Sequence, residues 1–168
     1  MTENDRMSGD YFGSSIVISG DTLLVGAYGK YDNRGATYAF FLAGDGLWDK
    51  GTKLGYGISS GDFFGYTLAL SGDSTLIGAY GRDEKGVNSG AVYILHRVNG
   101  VCQEEAKLVT ADGTICIEFG WDVALSGYTS IIGSPNDDNM GSCSGSVYVF
   151  IIREGGKWEE VQKLTPTY

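Results

Sequence analysis

The sequence is poor in proline, histidine and basic residues. It has 2 prolines, 1 histidine, and 12 lysines and arginines against 21 aspartates and glutamates in 168 residues. The net charge of −9 argues against binding to nucleic acid or to anionic membranes, whose charges would repel the chain. A metal site or a Ser-His-Asp arrangement would have to be built on the single histidine, His96. We therefore expect no catalytic residues and no nucleic-acid partner.

Long hydrophobic runs and a cysteine framework are also lacking. No apolar stretch reaches the roughly 20 residues that span a bilayer, so we expect no membrane insertion. The N-terminus lacks the basic-then-apolar pattern of a signal peptide. We expect either an intracellular protein or a sequence that begins after a removed signal. Cys102, Cys116 and Cys143 leave at least one thiol unpaired and match no zinc-binding spacing, and we expect no cofactor.

Glycine and tyrosine are abundant, with 27 and 11 residues, and 42% of the chain is hydrophobic. This composition is typical of many short strands joined by tight turns. No segment shows a long 3.6-residue apolar period, so we expect almost no helix. In the first third of the chain we predict four strands, at Ser14–Ser19, Thr22–Tyr28, Ala36–Leu42 and Leu47–Leu54. Ser19-Gly20-Asp21 predicts a hairpin turn between the first two strands.

Five short motifs recur three times in the same order. Phe-Gly pairs are separated by 52 and 55 residues, and a Gly-Ala or Gly-Ser pair begins 14 residues after each Phe. The Phe-Gly pairs are residues 12–13, 64–65 and 119–120, and the Gly-Ala or Gly-Ser pairs are residues 26–27, 78–79 and 133–134. Recurrence in register predicts one repeat domain over residues 1–168, with repeats at about 10–61, 62–116 and 117–168.

The second strands of the repeats are apolar on both faces, as in Leu23–Ala27 and Thr75–Ala79. Such strands need a covering layer on each side, which the stacked sheets of a β-propeller provide. A β-sandwich would use the same strands but would not explain the repeat. We predict an all-β fold, a β-propeller of four-stranded antiparallel blades with three blades per chain. The Phe of each Phe-Gly is expected between adjacent blades, and each Gly-Ala or Gly-Ser pair where blades converge.

The ordered motifs Phe-Gly, Gly-Ala and Gly-x-Val-Tyr resemble the FG-GAP repeat of integrin α-subunit propellers and many bacterial surface proteins. The resemblance spans essentially the whole chain. It implies a propeller of usually seven blades, used for adhesion or ligand binding at the cell surface or outside the cell. The family's calcium loop is shortened here to Ser19-Gly20-Asp21 and its counterparts. Calcium needs six to eight oxygen ligands, so the family's calcium sites are not carried over.

Two groups of residues are candidates for ligand binding. Aromatic residues expected to face one region are Tyr28, Tyr31, Tyr66, Tyr80 and Trp121. They suit either a protein or sugar contact or packing between blades. The loops between second and third strands are expected at one face of the propeller, and one of them carries the cation candidates Asn136, Asp137, Asp138 and Asn139. The alternative for these four is a solvated turn held by Asx hydrogen bonds.

Three blades do not close a ring, because propellers close with four to eight. We predict that two chains complete a six-bladed ring as a homodimer, because an isolated arc would expose apolar blade faces. The alternative is that the chain is an excised piece of a larger propeller. We predict an integrin-like binding module that uses its loop face for a protein partner. The alternatives are a lectin-like carbohydrate binder that uses tyrosine and tryptophan, and a purely structural or assembly role.

Overall fold

The computed structural model of the protein describes residues 7–55, 57–113 and 115–166, which form three antiparallel sheets of four strands, here called blades 1, 2 and 3. Blade 1 contains β1 (Ile16–Ser19), β2 (Thr22–Gly26), β3 (Thr37–Phe41) and β4 (Thr52–Leu54). Blade 2 contains β5 (Leu68–Ser71), β6 (Ser74–Ala79), β7 (Ala91–Val98) and β8 (Val101–Leu108). Blade 3 contains β9 (Asp122–Ser126), β10 (Thr129–Ser134), β11 (Ser146–Ile152) and β12 (Trp158–Leu164). The all-β prediction with three four-stranded blades is confirmed.

One helical turn, α1 (Lys30–Asn33), lies between β2 and β3. Its residues Tyr31 and Asp32 have φ angles of 53° and 57°, in the left-handed region that costs non-glycine residues roughly 1–2 kcal/mol each. The prediction of almost no helix is thus confirmed for the described residues. In that part of the chain, no helix is long and apolar enough to cross a membrane.

Each blade is a meander in which every strand pairs with the next one along the chain. Tight turns with glycine at the first central position join the first and second strands of all three blades. These glycines, Gly20, Gly72 and Gly127, have φ angles of 57°, 58° and 55°. A positive φ at this position is the requirement of a two-residue hairpin, so the turn predicted from Ser-Gly-Asp is confirmed.

The fourth strand of blade 1 is shorter than predicted, and Trp48 lies before it instead of within it. Asp49 is the cause, because its side-chain Oδ1 accepts hydrogen bonds from the backbone N–H groups of Phe41 and Gly51, at 3.2 and 2.9 Å. The carboxylate therefore replaces the strand partner that Phe41 would need, and regular pairing begins only at Thr52.

A phenylalanine from the Phe-Gly pair seals each contact between blades. Phe64 and Phe119 are 0% exposed, and their rings meet Tyr93 and Tyr148 edge to face at 5.1 and 5.3 Å. Full burial of one such side chain contributes about 1.5–3 kcal/mol. Phe12 differs from its expectation and is 49% exposed, because the described chain places no blade beside it.

A glycine at or near the end of the second strand lets neighbouring blades approach. It is Gly26 in β2 and Gly78 in β6. A Cβ at Gly26 or Gly78 would lie well inside 3.0 Å of the backbone carbonyl oxygen of Gly65 or Gly120, in the next blade. Only a residue without a side chain fits such a contact. This confirms the prediction that the Gly-Ala pairs lie where blades converge. At the equivalent Gly133 the nearest atom to a Cβ is 3.6 Å away, because no further blade covers it.

Alanine substitutions at these glycines test the packing. We expect Gly26→Ala and Gly78→Ala each to lower the free energy of unfolding by about 1–3 kcal/mol, since backbone must move to admit the methyl group. Gly44→Ala is the matched control, because a Cβ there meets nothing within 4 Å and we expect a change within about 0.5 kcal/mol. Urea unfolding followed by circular dichroism measures all three. Equal effects at Gly44 and Gly78 would contradict this packing.

Candidate ligand-binding surface

A continuous series of aromatic side chains crosses the three blades. We call it the aromatic row, and its members are Tyr11, Tyr28, Phe63, Tyr66, Tyr80 and Trp121. Tyr28 and Tyr80 come directly after the Gly-Ala pairs of blades 1 and 2, whereas Tyr66 and Trp121 directly follow the Phe-Gly pairs of blades 2 and 3. Because each Phe-Gly packs on the Gly-Ala of the preceding blade, these neighbours in sequence also meet in space.

The rings of the row contact one another at short range. Tyr66 lies at its centre, with ring centroids 5.3 Å from Tyr28, 4.7 Å from Tyr80 and 5.0 Å from Trp121. These contacts are edge-to-face or tilted, which is a favourable geometry for aromatic pairs. The structure thus brings together four of the five aromatic residues proposed from the sequence.

Sequence reasoning missed two members of the row, Tyr11 and Phe63. Tyr11 stacks on Tyr28 at 4.9 Å, and Phe63 stacks on Tyr80 at 4.7 Å, with ring planes within 10° of parallel. Their position in the repeat would have identified them, because both residues directly precede the Phe of a Phe-Gly pair. The third repeat has Glu118 at this position, which ends the regularity.

Burial disfavours the phenolate form of two tyrosines in the row. It raises the pKa of Tyr80 to about 12 and also raises the pKa of Tyr66, since a phenolate is poorly solvated between the rings. Burial likewise raises the pKa of the Glu118 carboxyl. The hydroxyl groups of Tyr66 and Tyr80 are therefore hydrogen-bond donors at neutral pH and remain so in alkaline solution.

An open groove of 440 Å³ lies beside the centre of the row. Its lining residues are Ser14, Tyr28, Tyr66, Thr67, Trp121 and Asp122. Thr67 Oγ1 donates a hydrogen bond to Asp122 Oδ1 at 3.1 Å, and the same oxygen accepts the backbone N–H of Val123 at 2.9 Å. One side of the groove is therefore aromatic, and the other carries a carboxylate held in place by two hydrogen bonds.

Tyr31, the fifth aromatic candidate, does not join the row. It lies in α1, where Lys53 Nζ donates a hydrogen bond to its hydroxyl at 2.7 Å. Its ring therefore packs against the fourth strand of its own blade. This difference follows from position, since Tyr31 belongs to a loop and the other four flank strands.

One of the four cation candidates, Asp137, pairs with a lysine. Lys163 Nζ lies 2.7 Å from Asp137 Oδ2 and 2.7 Å from Asp112 Oδ2, and the hydroxyl of Tyr148 donates to Asp137 at 2.6 Å. Although burial opposes it, the hydrogen bonds from Lys163 and Tyr148 hold the pKa of Asp137 below its usual value. The ammonium group thus neutralises the one buried carboxylate of this loop.

The rest of this loop forms the expected Asx turn. Asp138 Oδ1 accepts the backbone N–H of Cys143 at 2.6 Å, and Asp137 Oδ1 accepts that of Asn139 at 3.0 Å. Asn136 is half-buried. Among the described residues, no group of three or more histidine, cysteine, aspartate or glutamate side chains is placed to hold a metal ion. Cation binding by residues 136–139 stays a prediction.

The histidine and the cysteines lie outside the aromatic row in the residues that the structure describes. His96 is exposed, with its Nδ1 3.2 Å from Ser74 Oγ. The three cysteines form no disulfide, and only Cys102 is buried.

Comparison with known proteins agrees with this architecture. The sequence profile of the FG-GAP repeat matches three segments, residues 1–40, 56–95 and 102–150. Each segment contains one Phe-Gly pair, which lies just before a blade's first strand. No curated protein matches the chain. The matched segments cover more than half of the sequence, and they bear out the resemblance that the repeated motifs suggested. The chain belongs to the FG-GAP repeat family.

Proposed function

We propose that the chain is a non-catalytic binding module of the integrin-like propeller type, and that the aromatic row is its ligand surface. The observation that carries this proposal is the continuity of the row across all three blades, centred on Tyr66. Tyrosine and tryptophan at a rigid surface are the residues that most often dominate binding energy between proteins. The tyrosine hydroxyl groups and the aromatic rings of the row offer hydrogen bonds and apolar contact with little loss of side-chain entropy.

The packing of the row favours a protein ligand over a sugar. The tyrosines at positions 28, 66 and 80 are half-buried, and the rings of Tyr11 and Phe63 stack on Tyr28 and Tyr80. A sugar needs a free ring face on which to stack, whereas a protein surface contacts ring edges and hydroxyl groups equally well. We therefore propose a protein partner that lies along the row.

Tyr66→Ala tests this surface, with Tyr31→Ala as a matched control that removes the same side chain outside the row. A partner captured by the wild-type chain is identified by mass spectrometry and purified for affinity measurement. We expect Tyr66→Ala to weaken its binding about tenfold or more, which is the size of a binding hot spot, and Tyr31→Ala to leave it unchanged. Equal affinity of the wild-type and Tyr66→Ala chains would contradict a ligand surface at the row.

A carbohydrate ligand is the second candidate, and the groove beside the row favours it. Asp122 and Thr67 place polar groups beside Trp121, which is the arrangement that suits a sugar's hydroxyls and its apolar face. A panel of defined oligosaccharides distinguishes the two candidates. Binding of a glycan that is lost in Asp122→Asn and retained in Tyr31→Ala would favour the groove over the protein surface.

We also propose that a second copy of the chain closes the ring with six blades. One open end is the leading face, which we define as Phe12, Ile16 and Ile18 of blade 1, and all three are exposed. Their counterparts in the other blades include Leu68 and Val123, which are buried against the preceding blade. The leading face therefore has the composition of an internal blade contact but lacks its cover.

The other open end is the trailing face, which we define as Ile131, Gly133 and Leu164 of blade 3. Ile131 and Leu164 are 42% and 43% exposed, whereas their blade 2 counterparts Leu76 and Leu108 are buried. An open cleft of 440 Å³ with a mainly apolar lining lies over this face, between Gly133 and Leu164. Since internal blades cover such a face with a Phe-Gly pair, the leading face of a second copy is its natural occupant.

Gly133→Ala tests the closure without disturbing the three blades. A methyl group at Gly133 has room in the single chain, but in a closed ring it would meet the Gly13 carbonyl of the second copy, as a methyl at Gly78 meets Gly120. We expect light scattering to give the mass of two chains for wild type and of one folded chain for Gly133→Ala. A wild-type mass of one chain at every concentration, or pairing of Gly133→Ala, would contradict closure by a second copy.

A further inference from the structure

A charged contact secures the outer part of the junction between blades 1 and 2. Arg97, near the end of β7, lies 2.6 and 3.1 Å from the two carboxylate oxygens of Asp21, in the hairpin turn of blade 1. Its Nη1 also donates to Thr22 Oγ1 at 2.6 Å, and its guanidinium covers the ring of Phe41 at 4.5 Å. Such two-point pairing of a guanidinium with a carboxylate is geometrically specific, so each side chain selects the other as its partner.

The repeat identifies the residues that correspond to this pair at the open ends. In each blade, a backbone N–H at or near the end of the third strand donates a hydrogen bond. The acceptor is the carbonyl oxygen of the second residue in the hairpin turn between the first and second strands. The three donor–acceptor pairs are Leu42 and Asp21, Arg97 and Asp73, and Ile152 and Tyr128, at 2.9, 2.9 and 3.0 Å. Leu42 therefore corresponds to Arg97, and Tyr128 corresponds to Asp21. Leu42 lies on the leading side and Tyr128 on the trailing side, and they are 40% and 78% exposed.

We propose that Leu42 of one chain packs on Tyr128 of a second copy, and that this apolar contact makes the open ends selective for each other. This inference rests on the proposed closure by a second copy. At the junction between blades 1 and 2, the corresponding side chain of the following blade is Arg97, which is charged and meets the carboxylate of Asp21. At the junction between blades 2 and 3, the corresponding residues are Ile152 and Asp73. At the open ends, the proposed contact instead places the apolar side chain of Leu42 against the aromatic ring of Tyr128.

The residues at the two ends suit each other, which favours a second copy as the occupant. An arginine such as Arg97 would find no carboxylate at Tyr128, and Leu42 lacks the charge with which Arg97 holds Asp21. Ile151 lies beside Tyr128 at the position that Phe41 holds beneath Arg97, so the apolar character continues on the trailing side. Both ends thus carry apolar or aromatic side chains at the positions that the Arg97–Asp21 pair occupies between blades 1 and 2.

The backbone at both ends already has the geometry of an internal junction. Internally, the N–H groups of Phe63 and Phe64 donate to the carbonyls of Asn33 and Arg34, each at 2.9 Å. The corresponding N–H groups at the leading end belong to Tyr11 and Phe12, and the corresponding carbonyls at the trailing end to Cys143 and Ser144. In the part of the chain that the structure describes, these four groups form no backbone–backbone hydrogen bond.

The same left-handed angles recur at both ends. The φ of Tyr11 is 51° and that of Phe63 is 55°, while the φ of Cys143 is 51° and that of Asn33 is 62°. Left-handed angles in non-glycine residues are held only where surrounding structure requires them. The ends therefore need no rearrangement to pair, which lowers the cost of association.

A double-substitution cycle tests the Leu42–Tyr128 contact, using sedimentation equilibrium to measure the dissociation constant of the pair of chains. The variants are Leu42→Arg, Tyr128→Asp and both together, and all change exposed side chains in a chain that should remain folded. We expect each single variant to weaken pairing about tenfold or more, because each places a charge against an apolar surface. The double variant recreates the internal Arg97–Asp21 pair at both junctions, and we expect its affinity to return to within about threefold of wild type.

Leu47→Arg is the matched control, since it adds the same charge to an exposed leucine in the turn after β3. We expect it to pair like wild type. If wild type pairs and the single variants pair equally well, or if the two losses add in the double variant, the Leu42–Tyr128 contact is overturned while closure stands. If wild type remains a single chain, both closure and this contact are overturned.

Discussion

The fold depends on the insertion of one phenylalanine at each contact between blades, against a backbone that carries no side chain. Phe64 and Phe119 are completely buried, and they reach that position because Gly26 and Gly78 let the adjoining carbonyls approach. The two requirements explain why Phe-Gly and Gly-Ala recur together at a fixed spacing. Loss of either partner would separate the blades, since hydrophobic burial between sheets is the main term that holds them together.

The candidate ligand surface is a consequence of the same contact. When Phe-Gly docks beside Gly-Ala, the residue after each motif is carried to the same edge, so Tyr66 meets Tyr28 and Trp121 meets Tyr80. The open ends lack this pairing, because the corresponding residues there are Ser14 and Pro135. The aromatic row therefore runs from Tyr11 at the leading end of the chain to Trp121 in blade 3.

Repetition made most of the fold predictable, and local side-chain chemistry accounts for what was not. Strand positions, hairpin turns and blade contacts follow from motifs that occur three times. By contrast, the short β4 depends on the single carboxylate of Asp49, and the pairing of Asp137 with Lys163 joins residues far apart in sequence. Tyr31 was expected to face the same region as the other aromatic residues, but it lies in a left-handed turn, where Lys53 donates a hydrogen bond to its hydroxyl. No periodic pattern encodes such contacts.

We propose that the exposed Phe-Gly of blade 1 is buried by the third blade of a second copy. Hydrogen exchange at the backbone amide of Phe12 measures this contact directly. In concentrated protein, we expect the Phe12 amide to exchange as slowly as those of Phe64 and Phe119, and we expect dilution to restore fast exchange at Phe12 while Phe64 and Phe119 stay protected. Fast exchange at Phe12 at every concentration, with Phe64 and Phe119 protected throughout, would contradict it.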